Sequence, residues 1–330
     1  MTLFFVPLVR AFCLEKGFVD NPGERKIHKE PTPRLGGVAI WLGTILTFWI
    51  VVALIGRYPY GNCLSGILIG GSIMFLLGLV DDIYTLSAKF KFWVQIGAAL
   101  IAVLLGVKID ELWNPFGAPI SLGIFSVPIT VFWIVALSNA MNFIDGVDGL
   151  AGAVSSISAV SFAVIVLTTQ PNPISAMVAV VLAGAMMGFL AFNFKPAKIF
   201  MGDSGALFAG FMLASLAVIG VMKTTAFTIF LPVFIFAVPI LDINYSVFRR
   251  LAKGKSPFNP DAEHIHHKLI SSGISQNNTV FILMMIAVAA GAVASFFVGS
   301  QLTYFVTIFA LLLFMLVVSA ASHYLLKKGN

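Results

Sequence analysis

The feature that this 330-residue chain lacks most clearly is charge, because only 10% of its residues are Asp, Glu, Lys or Arg. Soluble domains carry roughly 25% charged residues. Because 59% of this chain is hydrophobic, the composition excludes a water-soluble globule. The apolar runs are continuous and lack the apolar–polar alternation of membrane-spanning strands, which excludes a closed β-barrel. The composition therefore predicts an all-α polytopic membrane protein.

Cysteine and repeated sequence are also nearly absent. The two cysteines, Cys13 and Cys63, are predicted on opposite membrane faces, so no disulfide is expected within one chain. No basic region precedes the first apolar segment and no small-residue cleavage site follows it, so a signal peptide is not expected. No repeat or composition change divides the chain, which predicts a single integral membrane domain over residues 1–330.

Eleven helices are predicted from apolar runs, many of them near the 20 residues that cross a hydrocarbon core of about 30 Å. They lie near residues 1–14, 36–56, 66–80, 90–107, 124–142, 149–168, 174–192, 205–222, 226–248, 279–298 and 303–325. The first is short, because its residues at 1.5 Å each cover only about 21 Å. Either it crosses part of the bilayer or the true start of the chain lies upstream.

Charged residues are distributed unequally across this topology. Seventeen of the 20 Lys and Arg residues fall on one face, the exceptions being Arg57, Lys108 and Lys223. The positive-inside rule makes that face cytoplasmic. The net charge of +6 is then a topology signal, and no nucleic-acid partner is expected. Of the 14 acidic residues only Asp110 and Glu111 are predicted on the opposite face, which indicates an active site at the cytoplasmic face.

The first polar motif on that face is the acidic pair in GLVDDIYTLSAKFKF, Asp81 and Asp82, at the end of the third predicted helix. Adjacent carboxylates repel each other at a low-dielectric boundary unless a cation compensates them. Mg²⁺ suits this task because it prefers a few carboxylates together with phosphate oxygens. A solvated helix terminus is the structural alternative.

The second motif, NFIDGVDGL, places Asn142, Asp145 and Asp148 at three-residue intervals, with Gly146 and Gly149 between and after them. If the helix continues, the three polar residues share one face. If the glycines turn the backbone instead, it can approach a ligand closely. An ordinary turn also uses Asn, Asp and Gly, but five such residues exceed what one turn needs.

The third motif, FMGDSGAL, places Asp203 just before the eighth predicted helix. Asp203 and Ser204 are good helix-capping residues, which is the structural interpretation. Gly202 and Gly205 would also expose backbone N–H groups at a helix N-terminus, where phosphate binds readily. Both interpretations stay open on this motif alone.

The fourth motif contains His264, His266 and His267, and Arg249 and Arg250 precede it. Both cysteines are remote and no HExxH spacing is present, which argues against a zinc site. Imidazole and guanidinium groups beside carboxylates suit the binding of a diphosphate. A basic loop on lipid headgroups is the alternative. Because all four motifs fall on one face, together they predict a metal-dependent active site.

These motifs also resemble those of the polyprenyl-phosphate N-acetylhexosamine-1-phosphate transferases, bacterial membrane enzymes that begin the assembly of cell-envelope polysaccharides. The resemblance runs from about residue 25 to residue 268 through ERKIHKEPTPRLGG, GLVDDIYTLSAKFK, NAMNFIDGVDGLAG, FNFKPAKIFMGDSGAL and PFNPDAEHIHHKL. PTPRLGG and HIHH look more like the branch that transfers GlcNAc-1-phosphate. The branch that transfers phospho-MurNAc-pentapeptide typically carries three consecutive histidines.

The resemblance implies a reaction and its setting. Undecaprenyl phosphate would attack the β-phosphate of a UDP-N-acetylhexosamine, giving a lipid diphosphosugar and UMP. Mg²⁺ would be required, with Mn²⁺ as an alternative metal. The enzyme would lie in the bacterial inner membrane, in contact with the lipid bilayer and with its active site facing the cytoplasm. The oligomeric state stays open, a homodimer included.

The resemblance also assigns roles to individual residues, each through its position in a matching motif. The acidic pair is expected to deprotonate or position the lipid phosphate, the histidines to contact the diphosphate, and Phe200 to stack near the uracil. The catalytic residues so implied are Asp81, Asp82, Asp145, His264, His266 and His267. The implied metal ligands are Asp203, Asp145 and Asp82. The implied substrate-binding residues are Asn142, Asp148, Phe200, Lys91, Arg249 and Arg250.

The chain departs from the family pattern at two places. Thr85 stands where some relatives carry a third acid of the first motif, so a role that needs three carboxylates there is not expected. DAEHIHH lacks an arginine often found just ahead of the histidines, so Arg249 or Arg250 is predicted to bind phosphate instead.

Three rival functions stay open on sequence alone. A phospho-MurNAc-pentapeptide transferase of the same superfamily would differ in its donor. A secondary transporter would more often place its polar residues and broken helices near the bilayer midplane. A non-catalytic scaffold would not be expected to retain the acids and histidines of all four motifs.

Overall fold

The computed structural model describes residues 1–21, 31–55, 61–112, 114, 118–169, 173–220, 230–252, 254, 264–298, 301, 303–313 and 316. The helices are α1 Thr2–Lys16, α2 Gly36–Ile55, α3 Asn62–Tyr84, α4 Ala88–Leu104, α5 Ser126–Ile144, α6 Leu150–Thr169, α7 Pro173–Asn193, α8 Gly202–Gly220, α9 Phe230–Ile235, α10 Ala237–Ala252, α11 Ile265–Ser271, α12 Gln276–Val298 and α13 Thr303–Leu313. Two short antiparallel pairs join β1 Val19–Asp20 to β2 Thr32–Pro33 and β3 Glu111–Leu112 to β4 Ile120–Ser121.

Seven of the described helices are long and apolar enough to cross a membrane, namely α2, α3, α5 with the 3₁₀ turn before it, α6, α7, α8 and α12. This confirms a multi-pass, all-α membrane protein. The first eight predicted helices and the tenth begin and end within four residues of observed ones. The count of eleven spans stays a prediction, because α1 and α4 are shorter than these seven.

Parts of several predictions for helices and motifs fall outside the described residues. The largest are the start of the predicted ninth helix, most of the eleventh beyond Leu313, the ERKIHKE portion of ERKIHKEPTPRLGG and the PFNPDAE portion of PFNPDAEHIHHKL. Two local features differ from the prediction. The ninth helix is broken at Phe236 into α9 and α10, and the short helix α11 was not predicted.

The break between α9 and α10 has a local cause in Pro239. Proline has no backbone N–H, so it cannot donate the helical hydrogen bond to the carbonyl of Ile235. The hydroxyl of Ser158 on α6 donates to that carbonyl instead, at 2.9 Å. After the break, α10 carries Asp242, which contacts the histidine motif at His264.

The helix at the centre of the bundle is α8, whose residues 204–220 are all buried. Small residues let membrane helices approach closely, and α8 packs this way against α3 at Gly78. A Cβ atom added to Gly78 would overlap the backbone of Asp203 and Ser204. This close approach holds the end of α3, with its acidic pair, directly against the start of α8.

Candidate active site

A cavity of about 390 Å³ lies where the C-terminal ends of α3 and α5 meet the N-terminal ends of α8 and α12. It is lined by Asp20, Arg34, Asp82, Asp145, Gly146, Val147, Asp148, Asn193, Phe200, Gly202, Asp203, His267 and Gln276. Residues from all four polar motifs therefore meet at one site, although they are far apart in sequence. This arrangement can hold a polar ligand at the end of an apolar helix bundle.

Asp82 caps α8 from the end of α3. Its Oδ1 accepts a hydrogen bond from the backbone N–H of Asp203 at 2.8 Å. Its Oδ2 accepts from the backbone N–H and the hydroxyl of Ser204, at 3.1 and 2.7 Å. The first N–H groups of a helix have no partner within the helix. The positive end of the helix dipole also lies at this terminus and favours a carboxylate. Asp82 thus joins α3 to α8 at the floor of the cavity.

Asp81, the neighbour of Asp82 in sequence, contacts different groups. Its carboxylate accepts hydrogen bonds from Lys91 Nζ at 2.7 Å and from the backbone N–H of Leu86 at 2.6 Å. Lys91 Nζ also lies 3.1 Å from Oδ2 of Asp203, so this lysine bridges two acids. Within the described residues the cation beside Asp81 is therefore a lysine, whereas Asp82 is held by hydrogen-bond donors of the α8 terminus.

The second motif forms a turn and does not continue the helix. Helix α5 ends at Ile144, α6 begins at Leu150, and Gly149 has a φ of 80°, in the left-handed region that favours glycine. Asp145 and Asp148 both line the cavity. Asn142, one turn back on α5, lies beside Asp203.

Asn193 at the end of α7 holds this turn in place. Its Oδ1 accepts from the N–H of Gly149 at 3.0 Å, and its Nδ2 donates to the carbonyl of Ile199 at 2.8 Å. Asp148 Oδ2 accepts from the N–H of Ala197 at 3.3 Å. These bonds tie the Asp-rich turn to the segment that carries Phe200 into the cavity.

Asp145 lies in the most acidic part of the site. Burial raises the pKa of the Asp145 carboxyl well above its ordinary value. The negative charges of Asp203, Asp82 and Asp148 raise it further. A cation bound beside it would favour the ionised form and reverse this effect. A bound cation would therefore stabilise this group of carboxylates.

The histidine motif docks on the turn through α11. His267 lines the cavity, and His266 is 1% exposed, with its Nε2 shielded and without a partner among the described residues. A Cβ atom on Gly146 would lie only 2.9 Å from that Nε2, so glycine is required for this contact. Burial and the charge of His267 lower the pKa of His266 to about 4, and burial also lowers the pKa of His267. Burial therefore favours the neutral form of both imidazoles.

His264 is held by Asp242, a residue to which the sequence assigned no role. His264 Nδ1 lies 2.7 Å from Oδ2 of Asp242, and Oδ1 of Asp242 accepts from the N–H of Ile265 at 2.7 Å. Asp242 therefore orients the ring and caps α11 at the same time. Its position within the predicted ninth helix was the available signal, because an acid inside a membrane helix requires a buried partner.

Arg249 and Arg250 lie in the last turn of α10, away from the cavity. The guanidinium carbon of Arg249 is 5.6 Å from the centre of the Tyr245 ring. Neither arginine is among the described residues that line the cavity. Most of the basic loop that follows, residues 255–263, lies outside the described part of the chain.

The structure adds cavity residues that the sequence did not single out, notably Arg34 and Gln276. Gln276 is 5% exposed, and both atoms of its side-chain amide lack a hydrogen-bond partner among the described residues. Arg34 lies within the quoted PTPRLGG motif, but nothing in the motif alone shows which way its side chain points. A buried polar group without a partner is costly unless a ligand satisfies it.

The donor set suits Mg²⁺ better than a metal that needs a complete protein cage. The described residues contain no group of three His, Cys, Asp or Glu side chains placed to hold a metal by themselves. Mg²⁺ typically uses one or two carboxylates and completes its shell with water and substrate phosphate oxygens. Asp145 and Asp203 could supply those carboxylates, whereas three hydrogen bonds already occupy Asp82.

Comparison with known proteins gives consistent matches. A family model described as glycosyl transferase family 4 matches residues 64–221. A Bacillus subtilis protein named as a probable undecaprenyl-phosphate N-acetylglucosaminyl 1-phosphate transferase is 37% identical over 286 residues, which cover 86% of this chain and 78% of that protein. A decaprenyl-phosphate N-acetylglucosaminephosphotransferase of Mycobacterium tuberculosis is 35% identical over 90% of this chain and 80% of its own length. The undecaprenyl-phosphate alpha-N-acetylglucosaminyl 1-phosphate transferase of Escherichia coli is 29% identical over 99% and 89%.

Proposed function

The chain belongs to glycosyl transferase family 4, as its motifs predicted, and we propose that it transfers N-acetylglucosamine-1-phosphate from UDP-N-acetylglucosamine to undecaprenyl phosphate. The products are undecaprenyl-diphospho-N-acetylglucosamine and UMP, and the lipid product would start a cell-envelope polysaccharide. The observation that carries the proposal is the convergence of the acidic, Asp-rich and histidine motifs on one cavity at the end of the bundle. A nucleotide sugar and a lipid phosphate can meet only at such a boundary.

The acceptor phosphate can attack directly, without a protein base. A phosphate monoester has a second pKa near 6, so it is largely ionised at pH 7. A lipid phosphate oxygen would form a bond to the β-phosphorus of the donor, while the bond to the bridging oxygen breaks and UMP leaves with the electron pair. Asp81 is bound to Lys91 and Asp82 to the α8 terminus, which supports positioning roles for both acids.

Phosphoryl transfer depends chiefly on positioning and on stabilising charge at the transferring and leaving oxygens. We propose that Asp145 and Asp203 hold Mg²⁺, or Mn²⁺ in its place. When bound, the metal would supply Lewis-acid stabilisation of the phosphate oxygens. His267 and Phe200, which also line the cavity, would contact the diphosphate and the uracil.

The cavity is proposed to face the cytoplasm of a bacterium, across its inner membrane. The predicted topology assigns 17 of the 20 Lys and Arg residues to the same side as the four polar motifs. Such a bias marks the cytoplasmic side. The oligomeric state, a homodimer included, can be measured by light scattering on the purified protein.

The proposed function is tested with detergent-purified protein, undecaprenyl phosphate, Mg²⁺ and radiolabelled UDP-N-acetylglucosamine, followed by extraction into organic solvent. Label should enter the lipid phase with wild type, and should be lost with EDTA. Asp203→Asn should reduce the rate by about 100-fold or more, the order expected when a group that stabilises developing charge is removed. Asp110→Asn is the matched control, because it removes an exposed acid beside Lys108 at the other end of the bundle.

Two outcomes would change the assignment. Transfer from UDP-MurNAc-pentapeptide or UDP-N-acetylgalactosamine, but not from UDP-N-acetylglucosamine, would keep the reaction and change the donor. No transfer from any donor by a folded preparation would reject the transferase, and solute flux in proteoliposomes would then test the transporter.

A further inference from the structure

Arg34 is carried into the cavity by a short backbone pairing. The N–H of Phe200 donates to the carbonyl of Pro33 at 2.7 Å. The N–H groups of Gly36 and Gly37 donate to the carbonyls of Phe200 and Met201 at 2.9 and 2.8 Å. Residues 33–37 therefore run alongside the segment that leads into α8, and Arg34 lies between two of these bonds.

Glycine is required for this pairing at two positions. A Cβ atom on Gly36 would overlap the carbonyl oxygen of Phe200, and one on Gly37 would overlap the backbone of Ser204 and Gly205. The carbonyl of Arg34 itself lies against Gly202. The PTPRLGG motif is thus attached to the start of α8 by its backbone and its glycines.

The Arg34 side chain lines the cavity. Its Nε is shielded from solvent and has no hydrogen-bond partner in the described part of the chain. Among the described residues it is also the only Lys or Arg that lines the cavity, where five aspartates do so. A shielded guanidinium N–H that makes no bond is destabilising unless a ligand accepts it.

We propose that Arg34 is the phosphate-binding guanidinium of this cavity. A guanidinium presents a planar fork of N–H donors that matches two phosphate oxygens, which makes arginine suited to bidentate phosphate recognition. Resting on the proposed function, this inference gives Arg34 the phosphate contact that the sequence alone assigned to Arg249 or Arg250. The phosphate belongs either to the donor diphosphate or to the lipid acceptor, which share the same chemistry.

The experiment compares wild type, Arg34→Gln and Arg34→Lys in Mg²⁺ buffer, with KM measured separately for UDP-N-acetylglucosamine and for undecaprenyl phosphate. Arg34→Gln should raise one of these two KM values by about 10- to 150-fold, the range for losing a charge-assisted hydrogen bond. Arg34→Lys should recover part of the loss, since it keeps the charge without the fork. Lys16→Gln, which removes an exposed cation paired with Glu15, is the control.

Binding of UDP and of uridine, measured by calorimetry, separates this inference from the proposed function. If the donor KM rises, UDP should bind more weakly to Arg34→Gln while uridine binding is unchanged, and the phosphate is that of the nucleotide sugar. If the acceptor KM rises instead, the phosphate is that of the lipid.

Unchanged KM values for both substrates in a folded variant would overturn the inference. If wild type transfers no sugar at all, the proposed function fails. Weaker binding of UDP or of undecaprenyl phosphate to Arg34→Gln, with uridine binding unchanged, still supports the phosphate site, whereas equal binding of both phosphate ligands overturns it.

Discussion

Replacing Asp82 with alanine should destabilise the protein even when no metal is present. The substitution leaves the backbone N–H groups of Asp203 and Ser204 and the Ser204 hydroxyl without their acceptor. Each buried polar group left unpaired costs about 1–3 kcal/mol, so three of them would cost about 3–9 kcal/mol. Asp82 also lines the cavity, and water that enters it would replace part of the loss. We therefore expect the lower end, about 3 kcal/mol.

The measurement is thermal unfolding in detergent with EDTA, followed by circular dichroism. In a chain of this size 1 kcal/mol changes Tm by about 2 °C, so Asp82→Ala should lower Tm by about 6 °C. Asp203→Ala is the matched control at the same helix terminus. Its carboxylate forms a partly exposed ion pair with Lys91, and the loss of such a pair costs about 1 kcal/mol or less.

A role for Asp82 as a metal ligand predicts a different change in Tm. If Asp82 acted chiefly as a metal ligand, its charge would only repel the other cavity acids in EDTA, and removing it would relieve that repulsion. A Tm for Asp82→Ala equal to or above that of wild type would therefore refute the capping role.

Three further predictions concern packing, orientation and pH. Gly78→Ala should lower both Tm and transfer rate, because its new Cβ overlaps the start of α8. Gly97→Ala, whose Cβ would meet no atom within 4 Å, should be neutral or stabilising by up to about 1 kcal/mol. Equal Tm values for the two variants would contradict the packing argument. Asp242→Asn should reduce kcat by about tenfold or more, because the ring of His264 loses its orienting acceptor. Asp242→Glu should restore part of kcat. Full activity of the Asn variant would exclude the orienting role of Asp242. The folded pKa of His266 is about 4, below its ordinary 6.5, so the unfolded chain takes up the proton first and stability should fall as pH drops from 6.5 to 4. His266→Gln should reduce that fall, measured as Tm against pH.

The helices and their class could be predicted because each depends on a local property of the chain. A run of about 20 apolar residues is driven into a bilayer whatever its neighbours are, and its backbone can be satisfied only within a helix. The break at Phe236 has a local signal in Pro239 that the apolar run obscured. The group that then satisfies the carbonyl of Ile235, the distant hydroxyl of Ser158, has no local signal. The short helix α11 was missed because seven residues carry too little periodicity to be recognised.

The candidate site, like the fold, could be predicted from the sequence only in part. The sequence by itself determined which polar motifs exist and that they share one membrane face, because the cost of burying charge in lipid forces them to the helix ends. Only the tertiary structure decided which group each polar residue meets. Asp81 and Asp82 are adjacent in the chain, yet one binds a lysine and the other a helix terminus. Asp242 meets His264, and Arg34 enters the cavity. Hydrogen bonds and ion pairs act over about 3 Å, so their partners are chosen by the packing of segments far apart in sequence.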